Sequence, residues 1–235
     1  MKQILTSIVF IISLSLGYSQ TLETFFSKND EFLKANVSEG KVAYNKIHKN
    51  PDQLNQLTEM MAKLSVSKSD ALNYQAFYIN AYNLSVIKGI VDNYPIKSPL
   101  DKPGFFDKTT YKIAGESITL NDVENLKLRG NFGDARIHFV LVCGAIGCPP
   151  LIAQAYMPER LEAQLQKQAK IALNNPEFIK VKKKKVELSE IFKWYKEDFV
   201  KNGDELDYIN QFRTEKVPEN AKISYYPYNW QLNGK

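Results

Sequence analysis

The sequence predicts an α+β fold: a single domain, mostly helical, around a small sheet whose central buried strand runs over about 137–143. Three observations carry that reading. The run Ile137–Val142 is apolar and largely β-branched around one histidine, the pattern of a strand covered on both faces. Apolar residues recur at spacings of three and four over most of the remaining length, which is the helical period. The other strand-like stretches come in pairs joined by tight turns rather than alternating with helices, so no βαβ series forms.

The chain has 235 residues, 44% hydrophobic and 24% charged, which is enough to fill one core. No Pro/Gly/Ser-rich linker divides it, so residues 20–235 are expected to form a single globular domain. Residues 1–19 stand apart: Lys2, the apolar run Ile4–Leu16, then Gly17-Tyr18-Ser19 have the order of a secretory signal peptide. The apolar run falls short of the roughly 20 residues a membrane span needs, so cleavage is preferred over a retained anchor. A periplasmic or secreted protein is expected, with no stable membrane span after cleavage. Loss of Lys2 lowers the formal charge from +5 to +4, too small an excess for a dedicated nucleic-acid binder.

In chain order, Phe25, Phe26, Phe32 and Leu33 form one helical stripe, and Leu54, Leu57, Met60, Met61 and Leu64 a second, entered at Pro51-Asp52. His48 is expected at the surface. Asp70 is placed to cap a helix over Ala71 to about Tyr94 that is apolar nearly all round, hence central. Asn80 and Asn83 interrupt it, and buried amides need partners; they are either ties to backbone or the lining of a site. Pro95, Pro99, Pro103 and Gly104 exclude regular helix up to Phe105-Phe106, which either cover a pocket or plug the core.

A hairpin comes next, Tyr111–Ile113 with Ser117–Thr119, then a short helix over Asp122–Arg129 carrying Glu124. Beyond the central strand, Met157–Leu173 is amphipathic with Leu161, Leu165, Ala169 and Ile171 inward. Lys182–Lys185 lies between two short strands and reads as a solvated turn. Ser189-Glu190 and Gly203-Asp204 open two further helices, and the aromatic segment Ile223–Trp230 ends as an edge strand at Pro227.

Both cysteines lie just past the buried strand, Cys143 and Cys148, in a loop bounded by Gly144, Gly147 and Pro149-Pro150. An exported chain with two cysteines, four residues between them, favours a structural disulfide. A second reading makes Cys143 or Cys148 the nucleophile of a cysteine-type hydrolase or acyltransferase, with His138 as base and Asn80 or Glu124 as orienter. In a regular strand His138 and Cys143 face opposite sides, so that dyad requires a bulge; Cys148 could curl to either face, near a possible helix start. A third reading, metal binding by His138, Cys143 and Cys148, repeats no known zinc spacing. A fourth is a binding domain using its aromatic surface. No cofactor is implied, and the partner expected is a small molecule or peptide.

Four stretches resemble one known family: Ala76-Phe-Tyr-Ile-Asn80-Ala-Tyr-Asn83; Arg136-Ile-His138-Phe-Val-Leu-Val-Cys143 with Cys148-Pro-Pro150; Leu188-Ser-Glu-Ile-Phe-Lys-Trp194-Tyr195; and Tyr228-Asn-Trp230-Gln-Leu-Asn233. Together they resemble the domain of unknown function 547. The resemblance covers nearly all of the chain beyond the leader and implies an α+β domain common in exported bacterial proteins, with no assigned reaction. Asn80, His138, Cys143 and Cys148 match its polar positions. Two positions depart from its pattern: Val123-Glu124-Asn125 stands where the family commonly reads Ile-Glu-His, and Asn229 where it commonly has Asp.

Overall fold

The computed structural model describes residues 22–235; the expected leader, residues 1–19, lies outside them. Residues 22–36 form the first helix (α1), with Phe25, Phe26, Phe32 and Leu33 all buried as their spacing requires. A minimal antiparallel hairpin, β1 (Val37–Ser38) and β2 (Lys41–Val42), leads to α2 (Tyr44–Lys49) and α3 (Asp52–Lys63). His48 is exposed and its Nδ1 meets the Val91 carbonyl at 3.0 Å.

The fold is built on α4 (Ala71–Asp92). The Asp70 carboxylate caps it by accepting the Asn73 N–H. From Tyr74 to Val91 every residue except Lys88 is buried, as an all-round apolar helix must be.

The expected hairpin forms as β3 (Thr110–Ile113) and β4 (Glu116–Thr119), turning at Ala114-Gly115, both with positive φ. Thr119 then caps a continuous helical stretch: α5 (Leu120–Asp122), a π-helical section Val123–Arg129, and α6 (Gly130–Phe132), stopped by Gly133 at φ +60°. Further on come α7 (Leu161–Asn174), β5 (Ile179–Lys182), β6 (Lys185–Ser189), α8 (Glu190–Trp194), α9 (Lys196–Phe199), α10 (Glu205–Phe212) and β7 (Lys222–Tyr226). The three strands make one sheet in the order β5-β6-β7: the lysine-rich turn joins an antiparallel pair, and β7 lies parallel to β6 at the edge. In α7 Leu161, Leu165 and Ala169 face inward, but Ile171 is exposed, and Ala172 and Leu173 take its place.

The central strand expected over 137–143 is absent. Ala135–Phe139 is a tight 3-10 turn, and residues 140–143 are irregular. The run is apolar for another reason. Ile137, Val140, Leu141 and Val142 pack into the core around α4, whereas Ala135, Phe139 and Ala145 pack into a second core beneath the three-stranded sheet. The segment is wedged between two cores, which demands burial on all sides without any sheet.

Its backbone polar groups still need partners. The Asn83 amide supplies them: Nδ2 donates to the Val140 carbonyl at 2.9 Å, and Oδ1 accepts the Val142 N–H at 2.9 Å. One side chain thus makes the pair of bonds that a neighbouring strand would have made. One helical turn earlier, Asn80 does the same for Tyr156, beyond the thiol loop. Its Oδ1 accepts the Tyr156 N–H at 3.0 Å and its Nδ2 donates to the Tyr156 carbonyl at 2.7 Å. Of the two roles open to these amides, both take the structural one.

Candidate functional site

The His138–Cys143 stretch, the π-helical section, α8 with its continuation into α9, and the C-terminal tail meet around a pocket of about 270 Å³. Six aromatic side chains make up half of its lining residues: Tyr82, Phe106, Trp194, Tyr195, Tyr228 and Trp230. Its polar lining includes Glu124, His138 and Cys143. The irregular segment divides its two phenylalanines between the two roles open to them: Phe105 is buried in the core, and Phe106 lines the pocket against Trp230.

His138 is fixed on both sides. Its Nε2 lies 2.8 Å from Asp198 Oδ2, which also accepts the Arg129 Nε–H at 2.7 Å. These two bonds, that from His138 first, hold the Asp198 carboxyl well below the usual carboxylate range. An ionised carboxylate only accepts, so Nε2 carries the proton of that bond and Nδ1 is left facing Glu124 Oε1 at 3.8 Å. Tyr195 stacks on the imidazole with ring centroids 4.0 Å apart, and the Arg129 guanidinium lies over the Tyr195 ring at 5.1 Å. Glu124 is buried, which pushes its carboxyl upward; His138, the Tyr195 hydroxyl and Arg129 pull against that shift without cancelling it. Two carboxyls therefore flank one imidazole, one kept ionised and the other drawn toward its neutral form.

Cys143 and Cys148 are paired at disulfide distance, with Cα atoms 6.5 Å apart. Gly144 makes the turn possible: its φ is +82°, and a Cβ there would come within 2.4 Å of Ile90 Cδ1. The tail clamps the loop from outside, since Ile146 N–H donates to the Gln231 carbonyl at 2.7 Å and Gly147 N–H to the Asn229 carbonyl at 2.8 Å. Two donors reach Cys148 Sγ at 3.0 Å, the Cys143 backbone N–H and the Tyr228 hydroxyl, and the same hydroxyl lies 3.2 Å from Cys143 Sγ. Burial holds the Tyr228 phenol well above its ordinary value, so it remains a donor. Cys143 faces the aromatic pocket, whereas Cys148 borders a separate cavity of about 280 Å³ beside Pro149, Pro150 and Tyr226.

Four of the five residues expected from sequence, Glu124, His138, Cys143 and Cys148, therefore gather here. Asn80 does not. Its amide is committed to Ala76, Tyr156 and Asn29, and it forms no part of the pocket wall. Three further expectations change. No bulge is needed for His138 and Cys143 to share a pocket, because the strand that would have separated them is not there. No helix begins at Pro149-Pro150, so no helix dipole acts on Cys148. The two sulfurs are spent on each other, and among the described residues no group of three or more His, Cys, Asp and Glu side chains is arranged to hold a metal ion.

Asp198 and Arg129 carry no mark in the sequence, and Tyr195 and Tyr228 stand in the quoted motifs without a role. Asp198 stands three residues after Tyr195, but Glu190 and Glu197 are equally good carboxylates by spacing, and only the fold selects among them. Asn125 does not line the pocket: it accepts from Arg129 Nη1 and donates to the Asn121 carbonyl at 2.9 Å.

No curated protein and no solved structure matches the chain. The family match covers Asn80, Glu124, His138 and both cysteines, and stops short of the α8 and tail motifs that complete the pocket. Over residues 66–171 the chain matches the family described as Protein of unknown function, DUF547.

Proposed function

We propose that this chain is an exported binding domain whose aromatic pocket takes a small molecule or the end of a short peptide. The observation that carries this reading is the convergence of six aromatic side chains on a pocket with few polar groups, the composition expected of a ligand site. Glu124 and His138 at its wall would orient a ligand bearing a donor or a positive charge, with the rings attracting the same group through their faces. The Cys143–Cys148 link serves here as a crosslink that holds the pocket wall. Export rests on the leader-like order of residues 1–19 and agrees with a disulfide, which persists in oxidising compartments.

The chain contains two tryptophans, Trp194 and Trp230, and both line the pocket, so intrinsic fluorescence reports occupancy directly. Titration with a panel of aromatic acids, methylated amines and short peptides should give a saturable change for at least one class. That change should weaken at least about tenfold in a Glu124→Gln or Tyr195→Ala variant, the loss expected for about 1.4 kcal/mol. No saturable change across the panel, by fluorescence or calorimetry, would remove the reading. The hydrolase or acyltransferase alternative has one supporting observation, that His138 and Cys143 share the pocket with Asp198 orienting the imidazole; it requires a free thiol, and uptake of iodoacetamide by unreduced protein would support it.

A further inference from the structure

We propose that the Cys143–Cys148 disulfide is also a thiol–disulfide exchange site, in which a small thiol with an apolar or aromatic body enters the pocket and attacks Cys143. The proposal rests on the pocket being open to a ligand, and adds a reaction that binding alone does not require. Its first support is access. Both cysteines are partly exposed, and Cys143 alone of the two borders the aromatic pocket. Attack from that side meets Cys143 Sγ and expels Cys148 Sγ.

The second support is the treatment of the leaving sulfur. Exchange is faster when the departing thiolate is better stabilised. Cys148 Sγ already accepts from the Cys143 N–H at 3.0 Å, and the Tyr228 hydroxyl lies between the two sulfurs, 3.0 Å from Cys148 Sγ and 3.2 Å from Cys143 Sγ, free to turn its proton to whichever gains charge. A sulfur in a disulfide is a weak acceptor, and a thiolate a strong one, so both bonds strengthen as charge develops. The tail presets these donors: the Tyr228 N–H is tied to Glu190 Oε2 at 3.0 Å, and its ring packs 4.9 Å from that of Trp194.

The incoming thiolate RS⁻ forms an S–S bond to Cys143, the Cys143–Cys148 bond breaks, and Cys148 leaves as thiolate with the electron pair. A second equivalent of the same thiol then attacks the R sulfur of the mixed disulfide, releasing RSSR and the Cys143 thiolate. Two thiols are oxidised by two electrons and one protein disulfide is reduced. In reverse, the stabilised Cys148 thiolate is the group that restores the protein disulfide from the mixed one.

The test uses the oxidised protein with benzyl mercaptan or 2-mercaptoethanol, each at the same thiolate concentration, followed by rapid alkylation and mass assignment of both cysteines. The expected early product carries the thiol on Cys143 and the alkyl group on Cys148. Benzyl mercaptan should react at least about tenfold faster than 2-mercaptoethanol, and Tyr228→Phe, which keeps the ring and removes the donor, should slow both by about tenfold, as loss of one hydrogen bond to a charged group predicts. Adducts on Cys148, or rates unchanged in Tyr228→Phe, would overturn the proposal. Correct placement and Tyr228 dependence with equal rates for the two thiols would overturn the aromatic substrate class of this proposal, while the pocket reading stands or falls on the fluorescence titration. Circular dichroism of the Tyr228→Phe protein separates slowed chemistry from misfolding.

Discussion

At the scale of the residue, the imidazole of His138 stands between two carboxyls whose environments push them apart. Asp198 is ionised at lower pH in the folded chain than in the unfolded chain, so its pair with His138 and Arg129 stabilises the fold above the ordinary carboxylate range of about 4 and is lost as pH falls. Glu124 behaves oppositely. Its raised value means that the unfolded chain releases this proton first, so wild type loses stability as pH rises from about 4 through the folded value. Asp198→Asn should therefore cost about 2 kcal/mol at neutral pH, the worth of a hydrogen bond to a charged group, with the deficit shrinking below about pH 4. Glu124→Gln should gain on wild type over the same rise in pH. Urea unfolding at several pH values checks both, and slopes of the same sign would contradict the assignment of the two carboxyls.

At the scale of the element, the segment 137–143 shows what a strand-like sequence becomes when a helix side chain supplies the partners. Asn83→Ala would leave the Val140 carbonyl and the Val142 N–H buried and unpaired, at about 1–3 kcal/mol each. Denaturant unfolding should register that loss, and hydrogen exchange should register a faster Val142 amide while the interior of α4 keeps its protection. Elements defined by local signals were legible in the sequence: the Asp70 cap, the Ala114-Gly115 turn, the Ser189 and Asp204 helix starts, and the edge strand before Pro227. The 137–143 segment reads as a strand because composition reports burial and not the identity of the hydrogen-bonding partner. The π-helical section was equally hidden, since its 7 residues make fewer than two turns and establish no apolar period. Such a section at Glu124 agrees with the tendency of π-turns to occur where side chains are aimed into sites.

At the scale of the whole molecule, two cores share one wedge, and the pocket lies where the wedge, the π-section and the tail meet. No described helix is long and apolar enough to cross a membrane. The candidate site was half legible: the histidine, the cysteines and Glu124 stand out as polar groups beside apolar runs, whereas Asp198 and Tyr228 reach them across 60 and 80 residues of chain. The disulfide closes a short loop inside this arrangement, and the chain-entropy account gives it about 2 kcal/mol. Reduction should lower the melting temperature by about 4–8 °C for a chain of this size, at about 2–4 °C per kcal/mol, as followed by calorimetry with and without reductant. Cooperative unfolding of the reduced protein would show that the two cores, rather than the crosslink, hold the molecule together.

Asn83 grips the chain at Val140–Val142 and Asn80 grips it at Tyr156, from one turn of one helix, so the segment between them, which holds the thiol loop, is measured against helical pitch. Each added residue rotates the remainder of the helix by about 100° and advances it about 1.5 Å. A single insertion or deletion at Ala81 or Tyr82 would swing one grip off its target while leaving the other in place, and the segment could not satisfy both. The turn at Lys183-Lys184, which joins two strands in solvent, carries no such gauge. Length variation in this fold should accordingly be unequal: free at the lysine-rich turn, and forbidden across two residues in the middle of α4.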